Sequence, residues 1–267
     1  MQANTGNLVW SRNVAKDYEA QGGIGFGYSC SPILTDNMLI LPVGGTGASI
    51  VALDPKTGDE IWKAGNQPAS YSPAFPIQFE EQSLVVGYLQ NALVIHDCTT
   101  GTVVGQLDLS VGYDEHSAWP LYDEPYLWLS GPFRGGSQLL ELSLIDGKFS
   151  LLPVWQSRNM SNDVMSSVLV DGHLYGFDLF EPQAKTHRAS RGKFRCINFK
   201  TGEISWSNGS GRHRRKQNES DQSEPEIGQS GIVAADGKLL LLNELGELVL
   251  LKANRQRYEE LAMLYAK

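Results

Sequence analysis

One phrase, a tight turn followed by a strand, returns along this chain and limits what it can fold into. It reads Asn4-Thr5-Gly6-Asn7-Leu8-Val9-Trp10, Lys56-Thr57-Gly58-Asp59-Glu60-Ile61-Trp62, Thr99-Thr100-Gly101-Thr102-Val103-Val104 and Lys200-Thr201-Gly202-Glu203-Ile204-Ser205-Trp206. A weaker copy stands at Ile145-Asp146-Gly147-Lys148-Phe149. Glycine supplies the positive φ of the turn, and the strand after it alternates polar and apolar residues until it buries an aromatic. Trp10, Trp62 and Trp206 fall at one position of the repeat, which marks them as packing between repeats rather than as a cofactor box.

A strand ending in a polar residue precedes the turn at Ile50-Val51-Ala52-Leu53-Asp54, Leu93-Val94-Ile95-His96-Asp97 and Phe194-Arg195-Cys196-Ile197-Asn198. Each unit opens on a small polar residue and an apolar strand, at Ser31-Pro32-Ile33-Leu34, Ser72-Pro73-Ala74-Phe75, Ser117-Ala118-Trp119-Pro120, Ser166-Ser167-Val168-Leu169 and Ser230-Gly231-Ile232-Val233. These openers lie 41, 45, 49 and 64 residues apart, the last interval stretched by a polar insertion around 207–226. A second turn follows at Thr35-Asp36-Asn37, Val170-Asp171-Gly172 and Ala235-Asp236-Gly237. Four short antiparallel strands per repeat of roughly 40–50 residues make a β-propeller blade, so the expected class is an all-β propeller. A stacked β-sandwich would not repeat a motif at this period.

The Ala52-Leu53-Asp54-Pro55-Lys56-Thr57-Gly58-Asp59-Glu60-Ile61-Trp62 element resembles the blade signature of pyrroloquinoline-quinone-like, or quinoprotein-like, propellers. That group includes bacterial dehydrogenases and the propeller lipoprotein of the outer-membrane assembly machine. The segment from Ser230 through Asn243-Glu244-Leu245-Gly246-Glu247-Leu248-Val249-Leu250 to Ala262 is similar to the C-terminal blade of large secreted propellers from planctomycete-type bacteria. The resemblance implies a fold and a periplasmic or secreted setting for the parent protein. It is a poor guide to function.

The expected organisation is a single propeller domain over 1–267, with blades at about 28–66, 69–110, 113–156, 162–208 and 227–267 and a polar loop insertion at 207–226. Residues 1–16 read as the remnant of a preceding blade, a turn plus an outer strand. The resemblance implies seven or eight blades and a secretion signal. The start Met1-Gln2-Ala3-Asn4 carries no signal peptide, so the chain reads as the C-terminal part of a longer propeller. A closed five-bladed ring is the alternative. An open arc would leave the blade from Ser31 with one unshielded face and would favour self-association through open blade edges.

The formal net charge of -8 argues against a nucleic-acid partner, and the basic run Arg212 to Lys216 sits among Glu219, Asp221, Glu224 and Glu226 as a solvated loop. No apolar stretch is long enough for a membrane span. Cys30, Cys98 and Cys196 are widely separated and read as small buried hydrophobes, with no metal-ligand spacing among them.

In a propeller the connections from the outer strand of one blade to the inner strand of the next gather at the mouth of the central channel, where loops vary without harming the core. The candidate ligand-binding residues there are Tyr28, Ser29, Ser70, Tyr71, His116, Asn159, Asn162, Asp163 and Gln229. Their hydroxyls, amides and aromatics suit sugars, peptides or polar small molecules. The bland alternative is that they satisfy one another. His116 beside Asp114 and Glu115 could act as a general base, but the cluster comes without a nucleophile; Asn159, Asn162 and Asp163 could offer oxygens to calcium, but their spacing is not that of a calcium-binding loop. The glycines at 22–27 and 44–47 precede no helix and read as turns, not a phosphate cradle. Quinone-dependent dehydrogenases of the resembled group carry adjacent cysteines and a calcium set, and no Cys-Cys pair exists here. The leading expectation is therefore a non-catalytic scaffold without a cofactor, binding a protein or glycan partner at its channel face. The alternative is a fragment of an alcohol or sugar dehydrogenase that uses pyrroloquinoline quinone with calcium.

Overall fold

A computed structural model of the chain describes residues 1–20, 25–110, 116–145, 148–181, 191–208 and 228–265. The turn at Asp146 and Gly147, the acidic pair Asp114 and Glu115, the glycines Gly22 and Gly23 and the insertion from 209 to 227 lie outside the described residues. The fold is that of β-propeller blades: among the described residues there are five antiparallel sheets of four strands each. The chain divides into two compact units, residues 1–117 with 142–151, and residues 118–141 with 152–267.

In the first unit, sheet one runs β1 (Ile33–Thr35), β2 (Met38–Gly45), β3 (Ala48–Leu53), β4 (Glu60–Ala64), and sheet two runs β5 (Phe75–Phe79), β6 (Gln82–Tyr88), β7 (Ala92–Asp97), β8 (Val103–Asp108). Sheet three is β9 (Leu121–Asp123), β10 (Tyr126–Gly131), β11 (Gly136–Ile145) and β12 (Lys148–Ser157), and the tip of its last hairpin, 142–151, groups with the first unit. The second unit adds sheet four, β13 (Val168–Val170), β14 (His173–Glu181), β15 (Arg191–Asn198) and β16 (Ile204–Asn208). Sheet five is β17 (Ser230–Ala235), β18 (Lys238–Asn243), β19 (Glu247–Lys252) and β20 (Glu260–Tyr265).

The turn phrase folds the same way at each occurrence. Gly6, Gly58, Gly101 and Gly202 have φ of +71, +78, +73 and +71°. In each, the glycine N–H donates to the carbonyl four residues earlier, Gln2, Asp54, Asp97 and Asn198. The polar residue that ends the third strand closes the turn: the side-chain oxygens of Asp54, Asp97 and Asn198 accept the N–H groups of Thr57, Thr100 and Thr201. The first-to-second strand turns at Asp36-Asn37, Asp171-Gly172 and Asp236-Gly237 have two successive positive φ values, the mirror-image turn whose twist suits a two-residue hairpin.

The repeated tryptophans join neighbouring sheets. Trp10, Trp62 and Trp206 donate their indole N–H to the carbonyls of Pro55, Cys98 and Asn254 at 2.9, 2.9 and 2.7 Å. Trp10 lies over Gly58 and Trp62 over Gly101, so close that a Cβ on either glycine would come within 2.7 and 2.5 Å of the ring. A fourth tryptophan, Trp155, does the same, donating to Phe199 and covering Gly202. It sits eight residues beyond Gly147 rather than four, because β11 and β12 form a hairpin of ten residues a side. In sheet two the tryptophan position is Gly105, and Phe149 from the long hairpin tip packs there, its ring 5.8 Å from that of Phe79.

Residues 8–13, expected as an outer strand, pair with no strand among the described residues. In the other repeats this strand pairs with the one before the turn. Side chains hold it instead: Trp10 as above, and Arg12, which donates to the Gly58 carbonyl at 2.9 Å and pairs with Asp17. The short helix α1 (Val14–Asp17) follows, capped by Asn13, whose side chain accepts from the Lys16 N–H. Trp10, Val14, Tyr18 and Ala20 then lie over Leu39, Leu41, Val51 and Leu53 of sheet one. That face was expected to stand open, and this segment covers it. The opposite face of sheet one, with Met38, Ile40, Ile50, Ala52 and Trp62, packs on Ala74, Val85 and Cys98 of the second repeat.

His96 is fully buried in β7, stacked on Trp62 with ring centroids 6.0 Å apart, and its Nδ1–H donates to the Gly101 carbonyl. Burial holds its pKa below the ordinary 6.5. The unfolded chain therefore takes up this proton more readily than the folded one, so stability is lost as pH falls through 6.5, at up to about 1.4 kcal/mol per pH unit. His96→Gln should remove that slope from chemical-denaturation curves measured between pH 7.5 and 5. An unchanged slope would mean that His96 is solvated.

Candidate functional site

Three of the expected site residues converge in the first unit. The Ser70 hydroxyl donates to the Tyr88 carbonyl at the end of β6 and accepts from the Ser72 N–H. The Tyr71 N–H donates to the His116 carbonyl at 2.8 Å, and the His116 ring stacks on Tyr88 with centroids 3.9 Å apart and planes 18° from parallel. Ser70, Tyr71 and His116 are all buried. The Tyr71 hydroxyl reaches outward and accepts the Phe26 N–H at 2.9 Å, with the two rings 6.2 Å apart. Phe26 itself is 80% exposed. Tyr28 is also exposed, while no hydrogen bond or ring contact links Tyr28 or Ser29 to this group among the described residues. The arrangement is a stack of aromatic rings and backbone ties that carries an exposed phenyl ring at its tip.

In the second unit the expected residues are distributed differently. Asn162 is buried, donates to the Phe177 carbonyl, and accepts from both the N–H and the hydroxyl of Ser167 at 3.1 and 2.8 Å. Asn159 donates to the Gly202 carbonyl and receives a guanidinium hydrogen bond from Arg195 on its own carbonyl. These carboxamides fasten the connection between sheets three and four to the strands of sheet four. Gln229 accepts the Glu244 N–H at the start of sheet five, and Asp163 lies partly buried next to Asn162. Among the described residues no group of three or more His, Cys, Asp or Glu is placed to hold a metal ion.

At the centre of this network is a buried ion pair, Asp178 of β14 with Arg195 of β15, at 2.7 Å. Asp178 also accepts the Ser161 N–H at 2.9 Å. Burial pushes the Asp178 carboxyl up to about 6, with Arg195 opposing the rise. Sequence reasoning quoted Arg195 only as part of a strand. The available signal was an arginine set between Phe194 and Cys196 in a strand expected to be buried. Cys98 and Cys196 are buried free thiols that burial raises to about 11, so they are poor nucleophiles.

A second concavity was not foreseen. A cleft of about 290 Å³ lies in the second unit between the Asp171 turn and the 252–256 connection, lined by His173, Lys252, Asn254, Arg255 and Gln256. It sits at the strand ends opposite the connection that carries Gln229. Its polarity is partly neutralised already, because Glu259 pairs with Lys252 and Arg257 and accepts from Asn254.

Residues 1–119 match the family model described as outer membrane protein assembly factor BamB, which is under half of the 267 residues. Over those residues the repeats are similar to those of pyrroloquinoline-quinone-like propellers. No curated protein matches the chain. Among solved structures, AztD from Citrobacter koseri is 14% identical with a TM-score of 0.48, over 90% of this chain and 60% of that one. Hsv2p from Kluyveromyces lactis is 10% identical with a TM-score of 0.46, over 82% and 59%. The computationally designed Ika8 protein is 8% identical with a TM-score of 0.46, over 88% and 73%. The chain thus spans less than two thirds of AztD and of Hsv2p. No helix among the described residues is long and apolar enough to cross a membrane.

Proposed function

We propose that this chain is a non-catalytic propeller scaffold that binds a protein or glycan partner in a bacterial envelope, in a periplasmic or secreted setting. The observation that carries the reading is the platform in the first unit. Ser70, Tyr71 and His116 are engaged in holding one another and Tyr88, and what they present outward is the exposed ring of Phe26, with the exposed Tyr28 two residues on. Exposed aromatics lose little side-chain entropy on binding, which suits stacking on a sugar face or burial in a protein pocket. The description of the matched family model, an outer-membrane assembly factor, supports the envelope setting and a protein partner.

Two measurements test this. A photo-crosslinking residue placed at Tyr28 in cells should yield a discrete protein adduct, or a glycan array should give a defined hit, and Phe26→Ala should lower either signal at least about tenfold. Calorimetric titration with pyrroloquinoline quinone and calcium should give no heat. Calcium-dependent micromolar binding with dye-linked alcohol oxidation would overturn the scaffold reading in favour of a dehydrogenase fragment. Absence of both an adduct and a glycan hit would overturn the binding role.

A further inference from the structure

Within each unit, neighbouring sheets meet at one recurring place, where the second strand of one sheet begins beside the last turn of the next. In the first unit Met38 opens its strand there and shares an apolar cluster with Cys98, whose thiol donates to Asp36. In the second unit the same place between sheets three and four holds Tyr126, with the Lys200 ammonium seated 3.1 Å from its ring centre. Between sheets four and five the residues change. His173 stands where Met38 and Tyr126 stand, each the first residue after its turn. Arg255 stands where Lys200 does, one residue past the carbonyl that accepts a tryptophan N–H, Phe199 for Trp155 and Asn254 for Trp206. Here the place is hollow: it is the cleft of about 290 Å³ lined in part by His173, Tyr175, Lys252 and Arg255. The strands that lead to residues 182–190 and 209–227 run away from it, since His173 pairs with Asn198, Glu181 with Arg191 and Asn208 with Phe194.

The two walls of the cleft differ in chemistry. One is cationic. Lys252 shares its charge with Glu259 at 4.0 Å, and Arg257 engages Glu259 at 3.6 Å. The Arg255 guanidinium has no ion pair or hydrogen bond among the described residues. Its charge is felt inside the cleft: burial raises the pKa of the Tyr175 hydroxyl, and Arg255 opposes that rise. The other wall supplies acceptors. His173 donates its Nδ1–H to the Asp171 carbonyl at 3.1 Å, which leaves Nε2 of the neutral ring to accept. The Asp171 side chain adds a carboxylate. A guanidinium matches a carboxylate with two parallel hydrogen bonds, and acceptors across the cleft take hydroxyl hydrogens. Asp171 and the nearby Glu259 disfavour a dianion, which selects a monoanionic carboxylate over a phosphate monoester. A volume at the low end of ligand pockets admits a molecule of about monosaccharide size.

We infer that this cleft binds a sugar acid, its carboxylate on Arg255 and its hydroxyls on His173 and Asp171. The site goes beyond the aromatic platform of the first unit and does not depend on it. One free cation in a cleft of this size gives modest affinity, a dissociation constant of roughly 0.1–1 mM. The adjacent boundary supplies the contrast. Lys200 brings the same charge to the equivalent position, but the Tyr126 ring already engages it.

Calorimetric titration of the full chain with glucuronate, glucose-6-phosphate and glucose tests the inference. Glucuronate should bind in that range, and the other two at least about tenfold more weakly. Arg255→Gln should weaken glucuronate binding at least about tenfold and leave the far-ultraviolet spectrum unchanged, because the side chain is exposed. Lys200→Gln removes the same charge from the filled boundary and should leave the constant within about twofold. His173→Tyr with Arg255→Lys copies the Tyr126 and Lys200 pair into the cleft at the same formal charge, and should abolish binding by filling the space. Should that double variant fail to fold, Arg255→Gln decides alone. No heat from glucuronate up to about 10 mM overturns the site. Glucose bound as tightly as glucuronate overturns the part played by charge, and tighter glucose-6-phosphate overturns the carboxylate assignment. Equal losses from Lys200→Gln and Arg255→Gln would trace the effect to the general field of the chain and overturn the cleft as its seat.

Discussion

Trp62→Ala should cost about 3–5 kcal/mol, read as a lower urea midpoint at constant denaturant dependence, the loss expected when a large buried side chain leaves a cavity. Trp62 is 7% exposed and belongs to two sheets at once. Its strand, β4, closes sheet one, while its indole N–H donates to Cys98 and its ring covers Gly101 in the turn of sheet two. The neighbouring stack on His96 is lost with it. Trp62→Phe retains most of the packing and loses the hydrogen bond, so about 1–2 kcal/mol is expected. Gly101→Ala attacks the same contact from the other side: its φ of +73° disfavours any side chain, and the new Cβ would sit 2.5 Å from the ring. Trp206→Ala should resemble Trp62→Ala, since its ring lies 6.1 Å from that of Tyr175 and 5.8 Å from that of Phe194. A loss below about 0.5 kcal/mol at either tryptophan would mean that the ring is not at a sheet boundary.

The turns were legible because their chemistry is local. A Thr-Gly pair three residues after an Asp or Asn specifies its own hydrogen bonds, and the chain makes them at Gly58, Gly101 and Gly202 whatever surrounds them. The tryptophan partnership was legible where the spacing held and was lost where it changed. Trp155 escaped notice because the β11–β12 hairpin adds four residues between turn and ring, which preserves the alternation but moves the docking position. Gly105 could not announce Phe149, because that contact joins residues 44 apart whose pairing only the packed hairpin tip decides.

The candidate site was legible in composition and not in role. A serine, an asparagine and a histidine in connections suit a ligand or a structural tie equally well, and the deciding quantity is burial. Asn162 and His116 prove fully buried, and Asn162 closes on Ser167 and Phe177. The open face was placed by counting strands, at the blade that lacked a predecessor. Residues 10–20 fold back over that blade by placing Val14, Tyr18 and Ala20 on Leu41 and Val51, a contact that no periodicity in so short a segment reveals. At sheet five the alternation of Lys238-Leu239-Leu240-Leu241-Leu242 is apolar on both faces, the pattern of a strand buried on both sides.

Arg195→Met should cost about 3–5 kcal/mol at pH 7, because it leaves a buried carboxylate without its counter-charge. The Arg195 guanidinium pairs with Asp178 at 2.7 Å, and both side chains are shielded, 12% and 5% exposed. The same guanidinium fastens the Asn159 carbonyl and lies 5.6 Å from the Phe180 ring centre. The pH dependence separates charge from packing. Asp178 already titrates near 6 in the folded chain against 3.8 in the absence of burial, so the folded state binds its proton more tightly than the unfolded one. Its contribution to stability therefore improves as pH falls from about 6 to about 4. Without Arg195 the folded carboxyl must rise further, and the variant gains more from acidification than the wild type does. The difference in unfolding free energy between wild type and Arg195→Met should shrink as pH is lowered from 7 to 4.5. Replacing both partners, Asp178→Leu with Arg195→Met, removes the stranded charge and should recover most of the loss, leaving mainly the freed Asn159 carbonyl and the Ser161 N–H as the residual cost. A double variant as damaged as the single one would show that the pair acts through packing alone, and a pH-independent difference would show the same.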